Sequence, residues 1–172
     1  KIFDAEGIAY ETGESAPGRG SIVARLKGTG AQHGLVLLSH MDVVPVNREF
    51  WTVDPFAGEV KDGYIWGRGA AAMKGTGLAG LMAFLLLHRA KVPLQRDVVF
   101  LATADEEAGG NFGAGWVASN RPQWFAGAGF LLNEGAGAPV DDSGKLKYVS
   151  VGPTEKTTAW LKLTSTGTPG HG

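Results

Sequence analysis

Three short apolar runs, each closing on residues that can bind a cation, constrain this chain more than any other feature. The first, Leu35 to Ser39, stops abruptly at His40, Met41 and Asp42. The second, Asp97 to Thr103, leads into Asp105, Glu106 and Glu107, and the third, Gly129 to Asn133, leads into Glu134. The first two, without polar alternation, suit strands buried on both faces of a sheet, and the third reads as another apolar strand. Side chains two apart on a strand share a face, so His40 and Asp42 should project together from a strand end. An imidazole beside a carboxylate is a recurrent pairing at zinc, because the carboxylate fixes the ring tautomer. Taken alone, the pair fits equally well a surface histidine next to a turn-capping aspartate. Three such endings at carboxyl ends of strands are harder to reconcile with coincidence, because ligands of open α/β sheets gather there.

Between the runs the pattern alternates strand and helix. Residues Ser21 to Lys27 alternate as a strand with one face exposed, and Ile8 to Glu11 reads as a β segment at the start of the chain. Val43 to Pro55 has no period and reads as a loop, while Glu59 to Trp66 reads as a hairpin turning at Asp62-Gly63. Met73 to Arg89 is expected to be a core helix, with His88 and Arg89 at its carboxyl end, where the helix dipole favours positive charge. Phe112 to Ser119 should be helical and end before Pro122; Lys147 to Val151 and Thr157 to Ser165 are expected strands. The fold class implied is α/β: a mixed, largely parallel sheet flanked by helices.

Composition narrows the chemistry. The chain of 172 residues has no cysteine, so any metal must use histidine and carboxylates, which also suit zinc. Sixteen Lys and Arg against 17 Asp and Glu leave a net charge of −1, which gives no electrostatic footing for nucleic acid or an anionic membrane. The longest apolar stretch, Gly77 to Leu87, is too short to span a bilayer, and nothing in the composition indicates a compartment. Glycines flank the acidic strand ends, at Gly109 and Gly110 and at Gly135 and Gly137, as tight loops beside a site require. Of the two adjacent glutamates, one can bind a cation while its neighbour exchanges a proton with water; the alternative is a solvated acidic loop. His33 reads as a surface residue.

Six motifs occur in one order: SHMDVVPV, the W-x-x-D-P-F run Trp51 to Phe56, DGYIWGRGAAAMKG, ATADEEAGG, LLNEGAG and TGTPGHG. Together they cover nearly the whole chain. The chain resembles the zinc-dependent aminoacylase, carboxypeptidase and acetylornithine deacetylase superfamily, and within it the aminoacylase and carboxypeptidase S-like branch. The resemblance implies a zinc exopeptidase-like catalytic domain over 1–154, and the start of an α+β lid domain, which commonly mediates homodimerisation, over 155–172. It implies two zinc ions, with cobalt or manganese as possible replacements. It also implies a small peptide or N-acyl amino acid as substrate. By motif, His40 resembles a ligand of one zinc, Glu134 shares that zinc, and Glu107 resembles a ligand of the other. Asp42 resembles the carboxylate that orients His40, Glu106 the general base, and His171 a residue that reaches a neighbouring active site to hold an oxyanion.

One position departs from the pattern. The superfamily motif G-R-G-A-x-D-M-K carries an aspartate that bridges the two metals, and this chain has Ala72 there. A methyl group cannot screen two cations held about 3.5–4 Å apart. A further histidine ligand of the superfamily lies beyond the motifs found here. The expectation is a weak or single zinc site and little hydrolysis, with a non-catalytic substrate binder of the same fold as the alternative.

Overall fold

The computed structural model describes residues 1–135, 137–151, 161–164 and 166–167. Two compact units divide it, Lys1–Glu134 and Gly135–Gly172. The first contains a five-stranded sheet in the order β1 (Tyr10–Glu14), β2 (Gly20–Leu26), β6 (Val98–Thr103), β3 (Gly34–His40), β7 (Ala128–Leu132). Strand β2 runs against its neighbours, while β3, β6 and β7 are mutually parallel. Four of the five strands therefore point the same way, and the mixed, mostly parallel sheet expected from the sequence is present. A separate hairpin pairs β4 (Glu59–Lys61) with β5 (Tyr64–Trp66) around Asp62-Gly63.

Strand β6 shows why the apolar runs lack alternation. All six of its residues are buried, and they divide by parity between two cores. Val98, Phe100 and Ala102 join Phe3, Ala24, Phe84 and Leu85 on the face covered by α1 (Ile2–Glu6) and α2 (Thr76–Arg89). Val99 and Leu101 join Val23, Val36, Val117 and Trp124 on the face covered by α3 (Ala114–Asn120) and the short turn Pro122–Phe125. Each large side chain buried here contributes about 1.5–3 kcal/mol. Gly77 lets α2 approach β3: a Cβ there would lie 3.1 Å from the Ser39 Cβ.

Several local expectations need correction. The chain opens with helix α1 rather than a β segment, and β1 starts at Tyr10. The long helix begins at Thr76, not Met73, because Ala72 and Met73 leave helical dihedrals within the irregular turn Ala70–Gly75. That break also bears on residues Ala70–Arg89, which by length and composition alone could cross a membrane. The continuous helix is 14 residues, about 21 Å long, against a hydrocarbon core of about 30 Å. Only one face of it is core, with Phe84 and Leu85 buried and Leu78, Met82 and Leu86 exposed. In the second unit, Lys147 to Val151 is not a strand. The described pairing there is the single bridge Val140–Leu146, closed by the Asp141 side chain, which accepts from the Ser143 and Lys145 amides. The expected strand Thr157 to Ser165 falls mostly outside the described residues, and Leu161 to Thr164 have no regular structure. The expected domain boundary at 154/155 also lies outside them.

At the sheet end opposite the acidic strand termini, Asp97 ties the edges together. Its carboxylate accepts from the Gly28 amide, Arg25 and Lys27, each at 2.9 Å. Arg25 also donates to the carbonyls of Trp124 and Ala126. Burial opposes ionisation of Asp97, but the Gly28 amide, Lys27 and Arg25 outweigh it and hold the carboxyl at about 2. A depressed carboxyl stabilises the fold above its unfolded value near 3.8, and this contribution disappears as pH falls through about 2. Asp97→Ala should therefore lower stability at neutral pH by about 1–2 kcal/mol, allowing for solvent screening, with the difference from the parent vanishing below pH 2. Urea unfolding of both chains across that range checks it.

Candidate metal centre

The site forms because parallel pairing brings three carboxyl ends to one rim. Strands β3 and β6 pair from Leu35–Val98 to His40–Thr103, and the Met41 amide continues the ladder to the Thr103 carbonyl at 2.8 Å. Strand β7 lies on the other side of β3 and delivers Glu134 two residues past its end. His40 is 5% exposed, so its ring is fixed by packing. From below, its backbone amide donates to the buried Met73 Sδ at 3.3 Å. This contact places the turn carrying Ala72 directly beside His40.

The ring is oriented by a backbone atom. His40 Nδ1 lies 3.0 Å from the Asp42 carbonyl oxygen, and 3.4 Å from the Asp42 carboxylate. A carbonyl can only accept, so Nδ1 donates to Asp42 and Nε2 is the nitrogen that faces the rim. Nε2 faces Glu134 Oε1 at 3.2 Å and Glu106 Oε2 at 3.7 Å. Donor atoms of His40, Glu106 and Glu107 also lie within 4.8 Å of one another. The Asp42 carboxylate, expected to orient the imidazole and 3.4 Å from Nδ1, also accepts from the Glu106 amide at 3.1 Å and the Glu107 amide at 3.0 Å. Asp42 thus acts on both sides of the site, its carbonyl on the ring and its carboxylate on the acidic turn.

This donor set fits a zinc ion. Ligands bound at about 2.0–2.1 Å in a tetrahedron stand about 3.3 Å apart, close to the 3.2 Å His40–Glu134 separation. The electrostatics agree. Burial, aided by Glu134, Glu107 and Asp42, raises the Glu106 carboxyl above the usual carboxylate range against the opposing pull of His40. Clustered carboxylates around one imidazole repel each other, and a cation relieves that repulsion. Among the described residues Glu107 falls in the same cluster as His40 and Glu106, and Ala72 offers no donor. His171 lies outside the described residues.

Sequence reasoning missed two contributors. Met73 read as an ordinary helix residue, and nothing in a lone methionine marks it as a support for a strand end. Asp105 read only as one of three acids. It is 4% exposed, faces away from the rim, and pairs with Arg19 from the β1–β2 turn.

Comparison with known proteins bears on the same region. The model of peptidase family M20/M25/M40 matches residues 36–157, which contain all three acidic strand ends. The chain belongs to this family, whose members are zinc-dependent hydrolases. Aminoacylase-1 of Sus scrofa is 38% identical over 169 residues, covering 96% of this chain and 40% of that protein. Aminoacylase-1 of Homo sapiens is 37% identical over 168 residues with the same coverage. Among solved structures, an M20 family metallo-carboxypeptidase from Sulfolobus solfataricus has a TM-score of 0.65 at 26% identity, covering 83% of this chain and 31% of that one. Human carnosine dipeptidase 1 has a TM-score of 0.64 at 23% identity, over 77% and 30%, a likeness of fold. The chain spans about two fifths of the length of the aminoacylases it matches.

The Asp42 clamp is directly testable. Asp42→Ala leaves the exposed Glu106 and Glu107 amides to hydrogen-bond water instead, at a cost of about 0.5–1.5 kcal/mol each. Amide hydrogen exchange should accelerate at these two residues, while exchange in β6 stays unchanged.

Proposed function

We propose that the chain carries part of the catalytic domain of a metal-dependent hydrolase of amide bonds, in a small peptide or an N-acyl amino acid. The observation that carries this reading is the convergence of His40 Nε2 on Glu134 and Glu106 at the rim of a parallel sheet. His40 and Glu134 would hold one zinc, and Glu107 would contribute to a second. Bound zinc supplies Lewis acidity toward a carbonyl oxygen and makes water more acidic.

Glu106 has the position of a general base: its carboxylate lies at the rim, 3.7 Å from His40 Nε2. It takes a proton from the attacking water and returns it to the leaving amine, which departs neutral. Asp42 keeps the Glu106 backbone fixed during that exchange. His40 is held in one tautomer by the Asp42 carbonyl, so its Nε2 stays available to a cation. His171 is assigned to oxyanion stabilisation in a neighbouring active site, and the segment from about residue 155 to the lid and a homodimer contact.

Ala72 sets the limit on activity. It sits on the turn anchored beneath His40, where the superfamily motif has its bridging aspartate. Lacking that anion, the chain holds at most one zinc firmly and hydrolyses amides poorly or not at all. The test is metal content after dialysis together with hydrolysis of an N-acetyl amino acid. The 172-residue chain should retain at most one zinc and show no turnover, and Ala72→Asp should increase zinc retention. Turnover by the Ala72 chain at the rate of a related aminoacylase contradicts the assignment. If Ala72→Asp in a longer chain that includes the remaining length of its relatives binds substrate without turnover, the non-catalytic binder is the better reading.

A further inference from the structure

The acidic turn is held from two sides, and only the front side belongs to the metal-facing rim. In front, the Asp42 carboxylate takes the Glu106 and Glu107 amides. Behind, the turn between β1 and β2 packs against residues 105–112. Arg19 Nε lies 3.1 Å from Asp105 Oδ1, with Arg19 47% exposed and Asp105 4% exposed. Asp105 Oδ2 accepts from the Phe112 amide at 3.0 Å, and its carbonyl accepts from the Gly110 amide at 2.6 Å. The Ser15 hydroxyl donates to the Phe112 carbonyl. The loop is pressed tightly onto its base, because a Cβ at Gly113 would sit 1.7 Å from the Ala104 carbonyl oxygen.

Asp105 also has φ of +66°, a conformation that costs a non-glycine residue energy unless its surroundings impose it. It immediately precedes Glu106, so its backbone direction sets where both glutamates point. Without Arg19, Asp105 would be a buried carboxylate whose side chain keeps one amide donor among the described residues, Phe112, a state costly enough to drive local rearrangement.

We propose that the Arg19–Asp105 ion pair is a latch on the acidic turn, making Arg19 a positioning residue for Glu106 and Glu107. The latch rests on the roles given above to those glutamates, although its geometry does not depend on them. Among the described residues, Arg19 has Asp105 as its side-chain partner. It acts by neutralising Asp105 and so holding the left-handed residue from which the turn begins.

The test compares the parent 172-residue chain with Arg19→Met and Arg19→Lys. Two quantities are read: zinc affinity by competition with a chromophoric chelator, and amide exchange at Glu106 and Glu107 by NMR. Arg19→Met should weaken zinc binding about tenfold, the lower end for a residue supporting metal ligands, and Arg19→Lys should recover to within about threefold of the parent. Exchange at the two amides should accelerate in Arg19→Met and return toward the parent in Arg19→Lys. If Arg19→Met does not fold, Arg19→Met/Asp105→Asn carries the same measurement, because it leaves no buried charge unpaired. The proposal is overturned if Arg19→Met or the double variant lowers the melting temperature but leaves both quantities at parental values. If the parent takes up no zinc, the metal-centre reading fails on its own, and amide exchange alone decides the latch.

Discussion

The parallel register of β3 against β6 is the constraint on which the rest depends. Pairing from Leu35–Val98 to His40–Thr103 makes both strands end on the same rim. It also aligns the parity of their side chains, so that Val36 and Val99 fall in one core. A slip of one residue would turn every side chain of β3 to the opposite face of the sheet. Such a slip would take Val36 and Leu38 out of the core they share with Val99 and Leu101. The position of the site is therefore fixed by hydrophobic packing several residues away from it.

Upon that frame, a few polar contacts set the geometry of the rim. Asp42 does two jobs, with its carbonyl aligning the His40 ring and its carboxylate clamping the acidic turn. Met73 supports the His40 backbone, and Arg19 neutralises Asp105 behind the turn. None of these contacts needs a metal to exist. The carboxylates that converge on His40 are thus held close despite mutual repulsion, which is the condition for binding a cation tightly rather than merely attracting it.

Much of this was legible in the sequence because it follows from periodicity. The unbroken run of β6 announced a doubly buried strand, whereas the equally apolar run of β7 lies at the sheet edge with Phe130, Leu131 and Leu132 exposed; the endings at His40, Glu106 and Glu134 announced the rim. Sequence could not show that the Asp42 carboxylate, besides facing the ring, would bond two amides of the acidic turn, because Asp42 and that turn are far apart in the chain. It could not show the Arg19–Asp105 pair either, since the two lie far apart in the chain and meet only when β2 packs beside β6. The start of α2 was placed three residues early because the apolar pattern runs through Met73, whose side chain supports His40 instead of continuing the helix. Ala72 shows a different limit. Its methyl group is consistent with the local backbone, so only the comparison of motif and site exposes what is missing there.

The central claim is that His40, with Glu134 beside it, forms a zinc site that survives the loss of an anion at position 72. Calorimetric titration of zinc into the chain and into His40→Ala tests it most directly. The account predicts one saturable site in the parent and none in His40→Ala. Equal binding by both chains, or no binding by either, would contradict it.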